Sequence, residues 1–354
     1  MSPELQLGPL RVSAPASTAS PASAGGEPSL SVVIPYYRGA AVIAEAVESV
    51  LAQTLAPLEI VICDDGSPDD LDAALGGLRE RVVVVRQENG GIASAMNATT
   101  RAARGEFVVQ LDQDDAFLPG RLEAIAAVLR ARPDLDIVAT DAIVEMQGRE
   151  IVTLEAISRY EDGDQRAAML RTCSFLWPAI RRSRLLAAGG YDESFAVMQD
   201  WECFARLVLG GALVAYVHAP LYRWRMTPGS RSSRDRVANV EAIERMLVKL
   251  LAGSSLRDSE RARAQALLSQ RRRWLARERA RQAVENRSPS ARRLSLGLAA
   301  GRGFDNATRA KAAVTVLSPA LARRFLERRA EQADPAREAL AQRGFHWAAE
   351  ADGS

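Results

Sequence analysis

The chain has 354 residues, of which 47% are hydrophobic and 25% charged; this balance fits a folded protein and excludes fibrous, disulfide-framework and wholly disordered classes. The length exceeds what one compact core usually holds, so a large domain with a smaller second region is expected. The net charge of +2 conceals an asymmetry: residues 236–354 carry 24 Lys and Arg against 13 Asp and Glu, and the first 235 residues carry 22 against 31, an acidic front and a basic back.

In chain order, residues 1–29 form a Ser-, Ala- and Pro-rich tail with few large apolar side chains, which is expected to be disordered. From Ser31 the pattern alternates. The apolar run Ser31–Ile34 precedes helical periodicity over Ala40–Gln53, and a second apolar run covers Leu58–Cys63. A helix is expected near Asp69–Leu78, a strand at Arg81–Val85, a helix at Ile92–Arg104 and a strand at Glu106–Leu111. A helix with Pro119 in its first turn and a strand at Asp136–Ala139 follow. Strands alternating with helices point to an α/β fold with a parallel sheet covered on both faces. Beyond Asp235 the chain becomes rich in Ala, Arg and Leu, and helices are expected over Ala238–Leu251, Ser259–Val284 and Ala320–Gln332. The organisation read from these patterns is a tail over 1–29, an α/β domain over 30–235 and a basic helical region over 236–354.

Three cysteines, Cys63, Cys173 and Cys203, lack metal-ligand spacing, which points to reduced thiols in a cytoplasmic protein. The N-terminus has no basic start followed by an apolar stretch, so no secretory signal is expected. The uncharged run Leu207–Tyr222 is interrupted by Gly210, Gly211, His218 and Pro220 and falls short of the ~20 apolar residues of a spanning helix. With only His218 and His346, histidine triads and histidine-rich metal sites are excluded.

Ligands of open parallel sheets bind at the carboxyl ends of strands, and here those ends carry Pro35-Tyr-Tyr-Arg38, Asp64-Asp-Gly-Ser67 and Asp112-Gln-Asp-Asp115. Three carboxylates in one short turn suit a hard divalent cation that completes its shell with phosphate oxygens. Capping of the following helix explains them equally well. Asp64 and Asp65 can accept hydrogen bonds from a base or ribose, or form an ordinary Asx turn. Tyr37 can stack on a flat base or fill the sheet edge.

Ser31-Val-Val-Ile-Pro-Tyr-Tyr37, Ile62-Cys-Asp-Asp-Gly-Ser67, Asn89-Gly-Gly-Ile-Ala-Ser-Ala-Met-Asn97, Gly105-Glu-Phe-Val-Val-Gln-Leu-Asp-Gln-Asp-Asp115 and Gly189-Gly-Tyr-Asp-Glu-Ser-Phe195 together resemble family two of the glycosyltransferases, in the family's order and over about two hundred residues. The resemblance implies a GT-A fold, a Rossmann-like and mostly parallel sheet flanked by helices, here followed by the α-helical C-terminal region. It also implies a nucleoside diphosphate sugar donor, UDP by family habit with dTDP or GDP compatible, a Mn2+ or Mg2+ cofactor, inversion at the anomeric carbon, and a saccharide or lipid-linked acceptor. Carried over by position, it sets Pro35, Tyr37 and Asp65 around the base, Asp112 and Asp114 in the metal motif with Asp114 the metal contact, Asp115 supporting the loop or approaching the sugar, and Asn97 on a helix facing the donor. Met198-Gln-Asp-Trp-Glu202 matches the segment that supplies the general base, which makes Asp200 the candidate; a helix-capping Asp200 is the structural alternative. Tyr222-Arg-Trp-Arg-Met-Thr-Pro-Gly-Ser230 resembles the closing motif, with Arg225 the candidate diphosphate contact ahead of Arg223 and Ser230. Gln199 and Met96 depart from the pattern, where relatives carry Glu and Arg. Trp177 lies where relatives line the acceptor and either stacks on a sugar or packs in the core.

The run Arg271–Arg281 is the densest in charge. A solvated helix face and a peripheral contact to anionic lipid at the inner membrane face are its two readings; nucleic acid is not expected, since no aromatic-interleaved or finger motif accompanies the arginines. A catalytically silent nucleotide-sugar-binding protein with a partner-recruiting tail is the alternative to the enzyme. A nucleotidyltransferase is disfavoured because no Gly-rich phosphate loop follows the first strand.

Overall fold

The computed structural model describes residues 10–15, 26–146, 148–157, 160, 163–173, 175–226, 236–253, 255–301, 304–320 and 322. The chain divides into two compact units, residues 1–227 and 228–354.

In the first unit the elements run β1 (Val12–Ser13), β2 (Leu30–Tyr36), α1 (Ile43–Leu51), β3 (Glu59–Asp65), α2 (Leu71–Leu75), a 3-10 turn (Gly76–Arg81), β4 (Val83–Gln87), α3 (Ile92–Ala102), β5 (Phe107–Gln110), β6 (Ala116–Phe117) and α4 (Arg121–Ala131). Then come β7 (Ile137–Met146), β8 (Arg149–Thr153), α5 (Leu154–Ile157), α6 (Gln165–Arg171), β9 (Ala179–Arg181), α7 (Arg182–Ala187), α8 (Gln199–Leu209) and β10 (Val214–Met226). The strands form one sheet in the order β1-β10-β7-β9-β5-β2-β3-β4, with β6 on β10 and β8 on β7. The expected α/β fold with a mostly parallel sheet is present: β4, β3, β2 and β5 run parallel, as do β7 and β10. Antiparallel β9 joins the two parallel blocks, between β5 and β7.

Hydrophobicity explains the centre. Every residue of β2 is buried, and Val32, Val33 and Ile34 have no exposed surface, as β-branched residues in a strand covered on both faces should. Pro35 is tolerated because it lies past Val33, the last β2 residue paired with β5. Edge strand β4 is the exception to the apolar rule, with exposed Val83 and Arg86.

Some expectations need correction. The tail is not disordered throughout: Val12 and Ser13 pair with Val217 and Tyr216 of β10. Side chains secure this strand, since Ser13 Oγ lies 2.6 Å from His218 Nε2 and His218 Nδ1 lies 2.8 Å from Glu155 Oε1. Pro119 precedes its helix rather than opening it; α4 starts at Arg121 behind a left-handed Gly120. The strand expected at Arg81–Val85 begins at Val83, because residues 76–81 continue α2 as a 3-10 turn.

The second unit holds α9 (Arg236–Ala252), α10 (Asp258–Glu285), α11 (Ala291–Ala300) and α12 (Asn306–Leu317). The last two were not anticipated, and the helix expected at Ala320–Gln332 falls almost wholly outside the described residues. Ala280, Leu298 and Ala312 form one small core, and Ala283, Val284 and Ala291 another. The basic run is largely neutralised by neighbours: Arg272 pairs with Glu244 at 2.8 Å, Arg279 with Glu241 at 2.6 Å, and Arg281 with Glu278 and Glu285. No described helix is long and apolar enough to cross a membrane.

Candidate active site

The loops that leave the carboxyl ends of β2, β3 and β5 are bonded to one another. Gln113 clips the first to the third: its Oε1 accepts from Tyr37 N at 2.8 Å and its Nε2 donates to Tyr37 O at 3.0 Å. Arg38 N donates to Ser67 Oγ at 2.8 Å and Ala40 N to Asp69 Oδ2 at 3.0 Å, which ties the first loop to the second. Arg38 holds a left-handed φ of 54°, an uncommon state for a residue with a Cβ, and its guanidinium sits 5.2 Å from the centroid of the Tyr37 ring. Tyr37, half-buried, therefore shares a rim with the Asp112–Asp115 turn, while Pro35 is buried within β2.

Asp65 is bonded within the protein. Its carboxylate accepts from Gln87 Nε2 at 2.7 Å, Gly90 N at 2.8 Å and Gly91 N at 2.9 Å, and its carbonyl accepts from Asn89 Nδ2. It organises the loop into α3. Gly66, at φ 65°, is required beside it, because a Cβ there would lie 2.8 Å from Asn89 N.

Asn97 is likewise spent within the protein. Buried on α3, it donates to Tyr191 O and Glu193 Oε1, both at 2.9 Å, and accepts from Tyr191 N at 2.8 Å. It fixes the Gly189–Phe195 loop. Arg206 of α8 holds the same loop through Gly190 O at 2.6 Å. Met96 is buried on the same helix, so that departure from the family pattern is absorbed by packing.

The acidic turn is braced from below. Asp112 Oδ2 accepts from Trp177 Nε1 at 2.8 Å, whereas its buried Oδ1 has no hydrogen-bond partner. Tyr222 OH accepts from Asp112 N at 3.2 Å and donates to Asp115 Oδ2 at 2.8 Å, and Arg225 N donates to Asp115 Oδ1 at 2.8 Å. Both oxygens of Asp115 are thus occupied, so it supports the loop. Burial raises its carboxyl well above the usual range, helped by the charges of Asp112 and Asp114. Asp112 is pushed up to about 6 by burial and then by the charges of Asp114 and Asp200, against lowering by the side chains of Trp177 and Gln110. Asp200, near the start of α8 with Oδ1 2.7 Å from Trp201 N, is raised by burial.

Arg225 is paired away from these carboxylates, with Glu45 and, at 3.8 Å, with Glu145. Arg223, on the inner strand β10, approaches Glu145 at 3.5 Å. Ser230 lies outside the described residues. Trp177 is 6% exposed and stacks on Tyr222 at 4.2 Å, which leaves no face for a sugar. Under the turn lies a residue that sequence reasoning missed: Arg121, with no exposed surface, has its guanidinium 4.8 Å from the Phe117 ring centroid and 4.9 Å from that of Tyr222. It donates to Trp177 O and Thr140 Oγ1, and burial lowers it to about 10. Gln113 was missed as well, although its place between two aspartates was a signal.

The donor set fits a divalent cation. Asp112 and Asp114 supply hard oxygen ligands, and the orphaned Oδ1 is a buried polar atom of the kind that native proteins seldom leave unmatched. Among the described residues no three His, Cys, Asp or Glu side chains form a closed metal cage, and a site open to substrate phosphate does not need one.

Comparison with known proteins decides the family. Residues 31–185 match glycosyl transferase family 2. This segment is a glycosyl transferase family 2 domain. Among curated relatives, an uncharacterized glycosyltransferase of Rickettsia prowazekii (strain Madrid E) is 25% identical over 184 residues, 49% of this chain and 57% of that protein. The chondroitin synthase of Escherichia coli is 31% identical over 203 residues, 51% of this chain and 26% of that protein. The chain thus spans little more than half the length of the first of these and about a quarter of the second. Two solved structures share the GT-A fold. Residues 1–349 of S. aureus TarS in complex with UDP-GlcNAc align with a TM-score of 0.60 at 16% identity, covering 86% of this chain and 92% of that one. The mannosyltransferase PcManGT of Pyrobaculum calidifontis in complex with GDP-Man and Mn2+ aligns with a TM-score of 0.55 at 19% identity, covering 90% and 85%.

Proposed function

We propose that this chain is an inverting glycosyltransferase, which moves a sugar from a nucleoside diphosphate donor, UDP before GDP or dTDP, to a hydroxyl of a saccharide or lipid-linked acceptor. One observation carries the reading: the buried, unpartnered Oδ1 of Asp112 in the field of Asp114 and Asp200. Carboxylates crowded at the rim of a parallel sheet are costly unless a cation and a ligand compensate them. Membership of family 2 and the nucleotide sugars named for TarS and PcManGT support the donor class.

Asp112 and Asp114 are the residues that would hold Mn2+ or Mg2+, and the ion would supply neutralisation of the leaving diphosphate. Asp200 takes the proton of the acceptor hydroxyl as that oxygen bonds to the anomeric carbon. The bond from that carbon to the diphosphate oxygen breaks, and the electron pair leaves with the phosphate. One displacement inverts the centre. Burial raises the Asp200 carboxyl above its ordinary value, which makes its carboxylate a stronger base than that of a free aspartate. Arg225 joins the diphosphate by exchanging its Glu45 carboxylate for phosphate oxygens. Tyr37 lines the base.

The test is transfer from a panel of UDP-, GDP- and dTDP-sugars, with Mn2+ and saccharide acceptors, by wild type and Asp200→Asn. The expected result is turnover lowered about a hundredfold or more in the variant with donor binding retained. Unchanged turnover removes Asp200 from the mechanism. Nucleotide binding without hydrolysis or transfer by the wild type favours a silent binding protein.

A further inference from the structure

Trp177 is built into the acidic turn in a way that packing alone does not require. An indole N–H buried for packing needs any acceptor, and Trp201 meets that need with a backbone carbonyl, Met169 O, at 2.8 Å. Trp177 instead spends its N–H on a carboxylate oxygen, Asp112 Oδ2, at 2.8 Å. The backbone that presents it is in the left-handed region, φ 46°, a state that persists in a non-glycine residue only where the surroundings over-determine it.

Those surroundings are specific. The ring lies parallel to Tyr222, 9° apart with centroids 4.2 Å apart, and tilts against Trp224 at 5.3 Å. The Trp177 carbonyl accepts from buried Arg121, whose guanidinium also covers Tyr222. Tyr222 OH in turn takes Asp112 N–H. Side chain and backbone of Asp112 are therefore gripped from the two members of one stacked pair. The consequence is an asymmetric carboxylate, with Oδ2 committed to the indole and Oδ1 buried without a partner.

The geometry points to Trp177 as a positioning residue that fixes the Asp112 carboxylate so that Oδ1 is presented to the divalent cation. The inference rests on the proposed metal role of Asp112. It requires no contact of Trp177 with sugar, nucleotide or metal. Partners that orient a metal-ligating group commonly account for ten- to hundredfold in metal affinity. Trp177→Phe keeps a ring for the stack on Tyr222 and removes the donor.

The experiment is calorimetric titration of the full chain with MnCl2 in the presence of UDP, for wild type and Trp177→Phe, together with thermal unfolding of both in EDTA. The expected result is Mn2+ affinity weakened about ten- to hundredfold in the variant, with UDP affinity in EDTA unchanged. A merely structural role lowers the unfolding temperature in EDTA and leaves the Mn2+ affinity of the folded fraction intact; that result overturns the inference. Should Trp177→Phe not fold, an isosteric benzothienyl analogue at position 177, in which sulfur replaces the indole N–H, provides the same comparison. Wild type that binds no Mn2+ with UDP overturns the metal reading and this inference together, whereas wild-type binding matched by the variant overturns the inference alone.

Discussion

Asp112 meets two opposed demands, burial that favours its neutral form and the Trp177 N–H that favours its charge. Its carboxyl rises to about 6, against ~3.9 for an unperturbed aspartate. Between those values the folded state holds a proton that the unfolded chain has released, so the contribution of Asp112 to stability in EDTA falls as pH rises from about 4 to 6 and levels off above. A shift of about two units corresponds to about 3 kcal/mol. Asp112→Asn keeps an acceptor for Trp177 Nε1 and removes the charge. It is expected to raise the unfolding temperature in EDTA at pH 7.5 and to have no such effect near pH 4, as thermal denaturation at the two pH values would show. A variant less stable than wild type at pH 7.5 would mean that the charge is already compensated within the protein. The residue types at this turn were legible in the sequence, since three aspartates after an apolar strand announce themselves. Their division of labour was not. Asp65, Asn97 and Asp115 share the family motifs, yet each is also bonded to segments that approach only on folding, Gly90 and Gly91, Tyr191, and Tyr222 and Arg225.

Helix α3 and the Gly189–Phe195 loop form the element-scale link between the nucleotide side of the site and Asp200. The link is Asn97 against Gly190 and Tyr191, and Gly190 sits at φ 72° with Asn97 Oδ1 where its Cβ would stand. Gly190→Ala therefore imposes backbone strain of about 1–2 kcal/mol and displaces a buried amide whose lost hydrogen bonds cost about 1–3 kcal/mol. Urea denaturation should register a loss of about 2–5 kcal/mol, and turnover should fall because the loop leads into α8. A stability within about 0.5 kcal/mol of wild type would show that the loop adapts freely. At this scale the periodicity of apolar residues located the central strands and α3 to within a few residues, because burial on both faces leaves little freedom. It failed where local sequence does not decide: antiparallel β9 is three residues long, and β1 depends on pairing with β10, some two hundred residues away.

Across the whole molecule, the basic character of residues 236–354 was visible as composition, but its consequence was not. Arg272 and Arg279 of α10 are matched by Glu244 and Glu241 of α9, pairs that only the packed helices bring together, whereas Arg281 pairs with Glu278 on its own helix. Individually such exposed pairs contribute little to stability; their effect is to reduce the positive charge left for a lipid surface. The acidic front retains the opposite imbalance, Asp112 feels the charges of Asp114 and Asp200 within it, and the account depends on these charges being relieved by a cation and a nucleoside diphosphate together. Thermal unfolding of the full chain with UDP, with Mn2+, with both, and with UDP plus EDTA tests this most directly. At ligand concentrations a hundredfold above Kd, the stabilisation should be about 2.7 kcal/mol with UDP and Mn2+ together, and Asp114→Ala should abolish it. An equal shift with UDP in EDTA, or one that survives in Asp114→Ala, would contradict the account.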